Sequence, residues 1–264
     1  MTQHISFDPA RLQNLPLEGA KNIRDLGGLP TGDNRRIRPR LLLRGDALHQ
    51  LTAGDIALLK GTYGLAKVID LRTDRELGEK PDLPLEGVTY LRRPILASGP
   101  SGIARDERTK QQRQAPDMPA LYRSMVADPA CREQLRLILR EIFTTAEGSV
   151  LFHCTAGKDR TGIVALLLEG LLGVPEEVIM ADYLHTNVVA ETEALVFRDT
   201  ILMRTGDAAY AEIMRQAWAA RESYLLGAVD YIRGHFGSVE AYVLRGLEIG
   251  GDEIRAFREK LLEE

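Results

Sequence analysis

The chain has 264 residues, with 34 Lys and Arg against 38 Asp and Glu; the resulting net charge of −4 argues against broad nucleic-acid binding. Its two cysteines, Cys131 and Cys154, are too few for a disulfide framework and lack metal-ligand spacing, so a reducing compartment is expected and no metal or cofactor. Residues 1–8 lack the basic-then-apolar layout of a signal peptide, and no apolar run reaches a membrane-spanning length, which predicts a cytoplasmic chain without an integral membrane segment.

The chain reads as a single domain over 1–264, opening with a lead-in over 1–20 that is expected to be partly ordered at best. Residues 22–29 read as a strand, Thr31-Gly32-Asp33-Asn34 as a turn and residues 38–44 as the returning strand, with Arg35, Arg36, Arg38 and Arg40 on a solvated edge. Thr52, followed three residues later by Asp55, caps a helix carrying Ile56, Leu58 and Leu59. Residues 66–72 read as a buried strand with polar residues at its end, where α/β sheets build their sites. Asp70 and Arg72 there either face a site or form a structural ion pair. Residues 87–95 read as a further strand.

Residues 97–119 form a long polar stretch containing Arg105, Arg108, Lys110 and Arg113, either disordered or a basic lip for an anionic substrate or lipid head groups. A helix over 118–127 is followed by a second one starting at Asp128-Pro129, with Leu135, Leu137, Ile138 and Ile142 on one face. Cys131 falls in this pattern and reads as structural, although a thiol close to a nucleophile could form a protective disulfide. Pro175-Glu176-Glu177 opens another helix through Tyr183. Residues 187–206 are irregular and then helical, and a helical stretch from Asp207 continues through Tyr224 and Ile232 to Gly237. Trp218 reads as core. The charged helix over 251–261 reads as a surface element.

The central stretch is Val150-Leu151-Phe152-His153-Cys154-Thr155-Ala156-Gly157-Lys158-Asp159-Arg160-Thr161-Gly162. It reads as a short core strand, a tight polar loop and the first turn of an apolar helix. A loop at a helix N-terminus presents unpaired N–H groups and the positive end of the helix dipole, which suits a dianion. Arg160, six positions after Cys154, adds a planar fork of donors. The same field favours a thiolate at Cys154. Gly157 would let the loop turn without blocking a phosphate, and Thr161 could donate its hydroxyl to the sulfur. Read singly, Cys154 could be an inert core filler, and Gly157-Lys158 invites a nucleotide-loop reading. The Walker pattern fails because Phe152 stands at the earlier glycine and Asp159 replaces Ser/Thr.

His153-Cys154-x5-Arg160-Thr161-Gly162 resembles the signature of the cysteine-dependent protein tyrosine phosphatases. The form Gly157-Lys158-Asp159-Arg160 is similar to that of a bacterial and fungal tyrosine/serine branch resembling mycobacterial protein tyrosine phosphatase B. The resemblance extends over about residues 19–247, through Asn22-Ile23-Arg24-Asp25-Leu26-Gly27-Gly28, Leu43-Arg44-Gly45-Asp46, Val68-Ile69-Asp70-Leu71-Arg72, Ala181-Asp182-Tyr183-Leu184 and Gly237-Ser238-Val239-Glu240-Ala241-Tyr242.

The resemblance implies an α/β fold, a central, mostly parallel twisted sheet flanked by helices, with a helical lid over about 187–236. It implies a phosphomonoesterase working through a cysteinyl-phosphate, with Cys154 as nucleophile, Arg160 and Thr155, Ala156, Gly157, Lys158 and Asp159 around the phosphate, and His153, Thr161, Asp70 and Arg72 in support. The substrate would be a phosphorylated protein or a phosphoinositide. No Trp-Pro-Asp tripeptide occurs, and the resemblance implies Asp159, inside the phosphate loop, as the general acid instead, with Asp106 and Asp117 as alternatives. Lys158 either favours substrates with more than one phosphate or pairs with a carboxylate such as Asp70; Thr155 stands where inositide phosphatases commonly carry a second lysine. A rhodanese-like sulfurtransferase and an inactive phosphoprotein-binding module are the competing readings.

Overall fold

The computed structural model describes residues 7–96 and 115–264. At its centre is a five-stranded sheet in the order β1-β3-β6-β4-β5. The strands are β1 (Arg24–Asp25), β3 (Leu42–Gly45), β4 (Leu65–Asp70), β5 (Thr89–Arg92) and β6 (Ser149–His153). All neighbours run parallel except β1, which pairs antiparallel with β3. The middle strand, β6, is buried along its whole length. It lies between β3 and β4 in register, with His153 opposite Gly45 on one side and Asp70 on the other. The polar ends of three strands therefore meet at one edge of the sheet.

Helices cover both faces. On one side pack α3 (Met118–Ala127), α4 (Pro129–Phe143), α5 (Asp159–Leu171), α6 (Glu176–His185), α9 (Glu222–Phe236), α10 (Val239–Arg245) and α11 (Gly251–Leu261), sharing the larger hydrophobic core. On the other, α1 (Ala53–Gly61) closes a smaller core of Ile23, Leu43, Leu59, Val68 and Leu151. The starts follow local chemistry. Thr52 and Asp55 form a reciprocal capping box on α1, and Asp117 and Asp128 cap α3 and α4, each of which has a proline in its first turn.

Five sequence expectations need correction. The described part of the lead-in, 7–20, packs on the fold at alternate points: a 3-10 turn spans Pro9–Arg11, and Leu12, Leu15, Leu17 and Ala20 are buried. The strand expected over 22–29 is only the two residues of β1, because the chain turns at Gly27 and Gly28 to bridge Pro30 with Arg36. Residues 187–206 are helical from the start: α7 (Asn187–Thr205) ends at Gly206 in the left-handed region, and α8 (Ala208–Trp218) follows. The helical stretch then breaks at 219–221, so α9 is separate and packs in the main core through Tyr224, Leu225, Val229 and Ile232. α7 and α8 share a small core of their own, made by Ile201, Tyr210, Ala211 and Met214. The last helix is not purely superficial: Ile254, Phe257 and Leu261 are buried, and the chain ends in β7 (Leu262–Glu263), paired with β2 (Arg36–Ile37). Among the described residues, no helix is long and apolar enough to cross a membrane.

Candidate active site

β6 delivers the chain to the sheet edge at His153, and α5 takes it away from Asp159. Between them the loop from Cys154 to Lys158 turns tightly around Gly157, whose φ is +66°. A Cβ at Gly157 would lie 2.6 Å from the Gly45 carbonyl carbon and 2.8 Å from the Asp46 nitrogen, so the glycine is required by the approach of the β3 end rather than by a ligand. α5 starts without a side-chain cap. Its first N–H groups are therefore available to an anion at the loop.

The loop is held from outside by its carbonyls. Asn22 donates to the Ala156 carbonyl at 2.8 Å, and Arg44 donates to the Gly157 carbonyl at 3.0 Å. In a trans peptide the C=O and the following N–H point in opposite directions. Drawing those two carbonyls outward turns the N–H groups of Gly157 and Lys158 the other way. The donors are fixed in turn: Arg24 binds Asn22 and, at 2.7 Å, Asp182, which also pairs with Arg44. Arg24, Arg44 and Asp182 are each about 1% exposed or less. The motifs around Asn22, Arg44 and Asp182 therefore converge on the back of one loop.

Cys154 is 2% exposed, at the floor of this turn. His153 reaches the Cys154 carbonyl at 3.2 Å through Nδ1 and Asp82 at 3.1 Å through Nε2. Asp70 and Asp82 both pair with Arg72, at 2.8 and 2.6 Å. Burial acts to raise the Asp70 pKa, but its hydrogen bonds to Arg72 and the charges nearby bring it down to about 2. Asp70, Asp82 and His153 offer ligand atoms within 4.8 Å of one another, yet Arg72 already pairs with both carboxylates, which disfavours a cation there. Asp70 and Arg72 thus form a buried ion pair behind His153.

Arg160 lies under a clamp that sequence reading missed. Its two terminal nitrogens donate to the two oxygens of Glu76, each at 2.6 Å, and Glu76 also accepts the Thr155 hydroxyl at 2.6 Å. Glu76 belongs to α2 (Asp74–Glu79), a six-residue helix capped reciprocally by Thr73 and Glu76. Burial acts to raise the Glu76 pKa, and the Arg160 hydrogen bonds and charge outweigh it, leaving the carboxyl well below its usual range. The Thr73-Asp74-Arg75-Glu76 spacing was a readable cap signal, but nothing local links it to Arg160.

Lys158 does not meet Asp70 and does not face the loop interior. It is 2% exposed and donates to the Ala217 and Trp218 carbonyls, at 3.2 and 2.6 Å, at the end of α8. Its nearest carboxylate is Asp159, at 3.5 Å. Trp218 is only half-buried, packed against Phe197 with ring centres 4.6 Å apart, so it is not the core residue expected. Thr161 donates to the Gly45 carbonyl at 3.4 Å, not to sulfur. Asp159 opens α5 and accepts from Tyr122 at 2.6 Å. Of the alternatives to it, Asp117 is spent as the α3 cap, and Asp106 lies outside the described residues, as do Arg105, Arg108, Lys110 and Arg113. Cys131 is a free, buried thiol whose pKa burial pushes up.

A core strand, a cysteine, a five-residue turn, an arginine and an uncapped helix define the class of cysteine-dependent phosphatases. The chain belongs to the tyrosine phosphatase family, whose model matches residues 15–263, and is a protein tyrosine phosphatase, a hydrolase of phosphate monoesters. It is 31% identical over 245 residues to a Cupriavidus necator protein named as a candidate tyrosine-protein phosphatase, covering 92% of this chain and 87% of that one. It is 28% identical over 279 residues to the triple specificity protein phosphatase PtpB of Mycobacterium tuberculosis, covering 93% and 98%. The crystal structure of Pseudomonas aeruginosa TpbA aligns over 81% of this chain and 91% of its own, at 16% identity and a TM-score of 0.35, too loose a likeness to add to the family assignment.

Proposed function

We propose that hydrolysis proceeds in two steps through a cysteinyl-phosphate on Cys154. In the first, the Cys154 thiolate attacks phosphorus, the S–P bond forms as the P–O ester bond breaks, and Asp159 gives its proton to the departing oxygen. In the second, water attacks phosphorus, the S–P bond breaks, and the water's proton returns to Asp159. The inward N–H groups of the loop and Arg160 hold the equatorial oxygens through both steps. Thr155, Ala156, Gly157 and Lys158 contribute backbone to that cradle, and His153, Thr161, Asp70 and Arg72 hold its shape. The observation that carries this reading is the Glu76 clamp on Arg160, which fixes the guanidinium at the far end of the turn that begins with Cys154.

Phosphotyrosine is the proposed principal substrate. Phosphoserine, phosphothreonine and phosphoinositides are proposed as further ones, supported by the triple specificity named for the mycobacterial relative. The pair α7 and α8, which Lys158 ties to the loop, is proposed as a lid. The test is phosphate release from a phosphotyrosine peptide, a phosphothreonine peptide and soluble phosphoinositides, by wild type and Cys154→Ser. Release from phosphotyrosine that disappears in Cys154→Ser while inorganic phosphate still binds is the expected result. Turnover near wild type in the variant would overturn the mechanism.

A further inference from the structure

Asp159 has two oxygens, and a general acid must carry its proton on the one that faces the leaving group. The structure treats them differently. Oδ1 accepts the Tyr122 hydroxyl at 2.6 Å and lies 3.5 Å from Lys158 Nζ. Oδ2 has no hydrogen-bond partner among the described residues, and the side chain keeps 18% exposure.

Tyr122 is itself constrained. It is fully buried on α3, and its hydroxyl lies 2.7 Å from that of Tyr183 on α6, with the two rings packed edge to face. Tyr122 has one proton and gives it to Oδ1 of Asp159, so toward Tyr183 it can only accept, and the Tyr183 proton turns toward Tyr122. The chain of donors has one polarity, and it ends on Oδ1.

We propose that Tyr122, oriented by Tyr183, is a positioning residue that occupies Oδ1 of Asp159 and so places the transferable proton on Oδ2. The proposal rests on Asp159 being the general acid. In the first step the Oδ2–H bond breaks as the leaving oxygen takes the proton, and the Tyr122 hydrogen bond steadies the carboxylate that remains. In the second step the water proton returns to Oδ2. Neither tyrosine changes its own protonation state. Both phenols are held in that form: burial, followed by the neighbouring Asp159 charge, pushes each pKa above the ordinary phenol value.

The experiment is a series of aryl phosphates of graded leaving-group basicity, assayed with wild type, Tyr122→Phe, Tyr183→Phe and Asp159→Asn, with thermal melts alongside. An acid matters most when the leaving group is poor. For Tyr122→Phe the expected loss in kcat is about tenfold or more on the most basic leaving group and about twofold or less on the most activated, with KM little changed. Tyr183→Phe should show the same tilt at smaller size, which keeps the test usable if one variant folds poorly. A uniform loss across the series, or no loss, in both tyrosine variants while Asp159→Asn shows the tilt would overturn the proposal and leave Asp159 as the acid. No tilt in Asp159→Asn would overturn the acid assignment itself.

Discussion

An arginine can grip a phosphate quickly only if its guanidinium is already aimed before the substrate arrives. Free in solution its side chain has several rotatable bonds to freeze, and that entropy opposes binding. Glu76 removes this cost by holding both terminal nitrogens of Arg160, and it ties Thr155 at the other end of the turn to the same carboxylate. Replacing Glu76 by Gln keeps the shape but leaves one acceptor oxygen and no charge. With about 1.5–3 kcal/mol assigned to a charge-assisted hydrogen bond, Glu76→Gln should lower kcat/KM by about 10- to 100-fold. Affinity for inorganic phosphate should fall with it; unchanged turnover and phosphate affinity would deny Glu76 this role. The residues proposed for the chemistry were legible as a group, because Cys154, Asp159 and Arg160 stand in one short motif. Glu76 was not, because it meets Arg160 only after β4 and β6 pair and bring α2 across the top of the turn. The same limit applies to Lys158, whose partners lie 59 and 60 residues away.

At the scale of elements, local chemistry predicted well wherever an end was capped by its own side chains. Thr52, Asp128 and Asp207 each start a helix where the sequence placed one. The lengths of β1 and β5 were overestimated because apolar spacing marks burial and not ladder pairing, and these are the two edge strands. The break between α8 and α9 was missed for a similar reason: both sides of it are apolar at helical spacing. That break matters, since it makes α7 and α8 a pair separate from α9, with a small core of their own. Asn187 and Ala220 close its base with two mutual hydrogen bonds of 2.8 and 3.0 Å, and Lys158 holds the end of α8. A buried ammonium bound to two carbonyls leaves both unsatisfied when it is removed. Lys158→Met should therefore loosen the hairpin selectively. Backbone hydrogen exchange is expected to quicken in 208–218 while peptides from α5 stay protected. Equal protection in both variants would mean that the hairpin is held by its other contacts.

The whole molecule keeps an unusual group of charges behind the phosphate loop. Arg24, Arg44, Asp182 and Glu169 are all buried, and only the first three are matched by ion pairs. Burial, then the nearby Asp182 charge, pushes the Glu169 pKa well above its ordinary value, which favours the protonated form in the fold. Asp70, Asp82, Glu76 and Asp182 shift the opposite way. Their lowered values stabilise the fold above the unfolded carboxylate range, and that contribution is lost as acid protonates them in the folded state, near pH 2 for Asp70. Glu169 has the reverse sign. Above the ordinary value of 4.5 the unfolded chain releases its proton and the folded chain does not. Its contribution against folding then grows by about 1.4 kcal/mol per pH unit until the folded-state value is reached. Glu169→Gln removes the ionisation, keeps the volume, and supplies an N–H that can donate to Asp182. The variant should be more stable than wild type at neutral pH, by a margin that shrinks as pH falls toward the unfolded carboxylate value. Urea unfolding of both proteins in steps from about pH 5 to about pH 8 measures that margin. A margin that stays constant across the range would show that Glu169 is ionised in the fold, and the two arginines would then be shared between two buried anions instead of one.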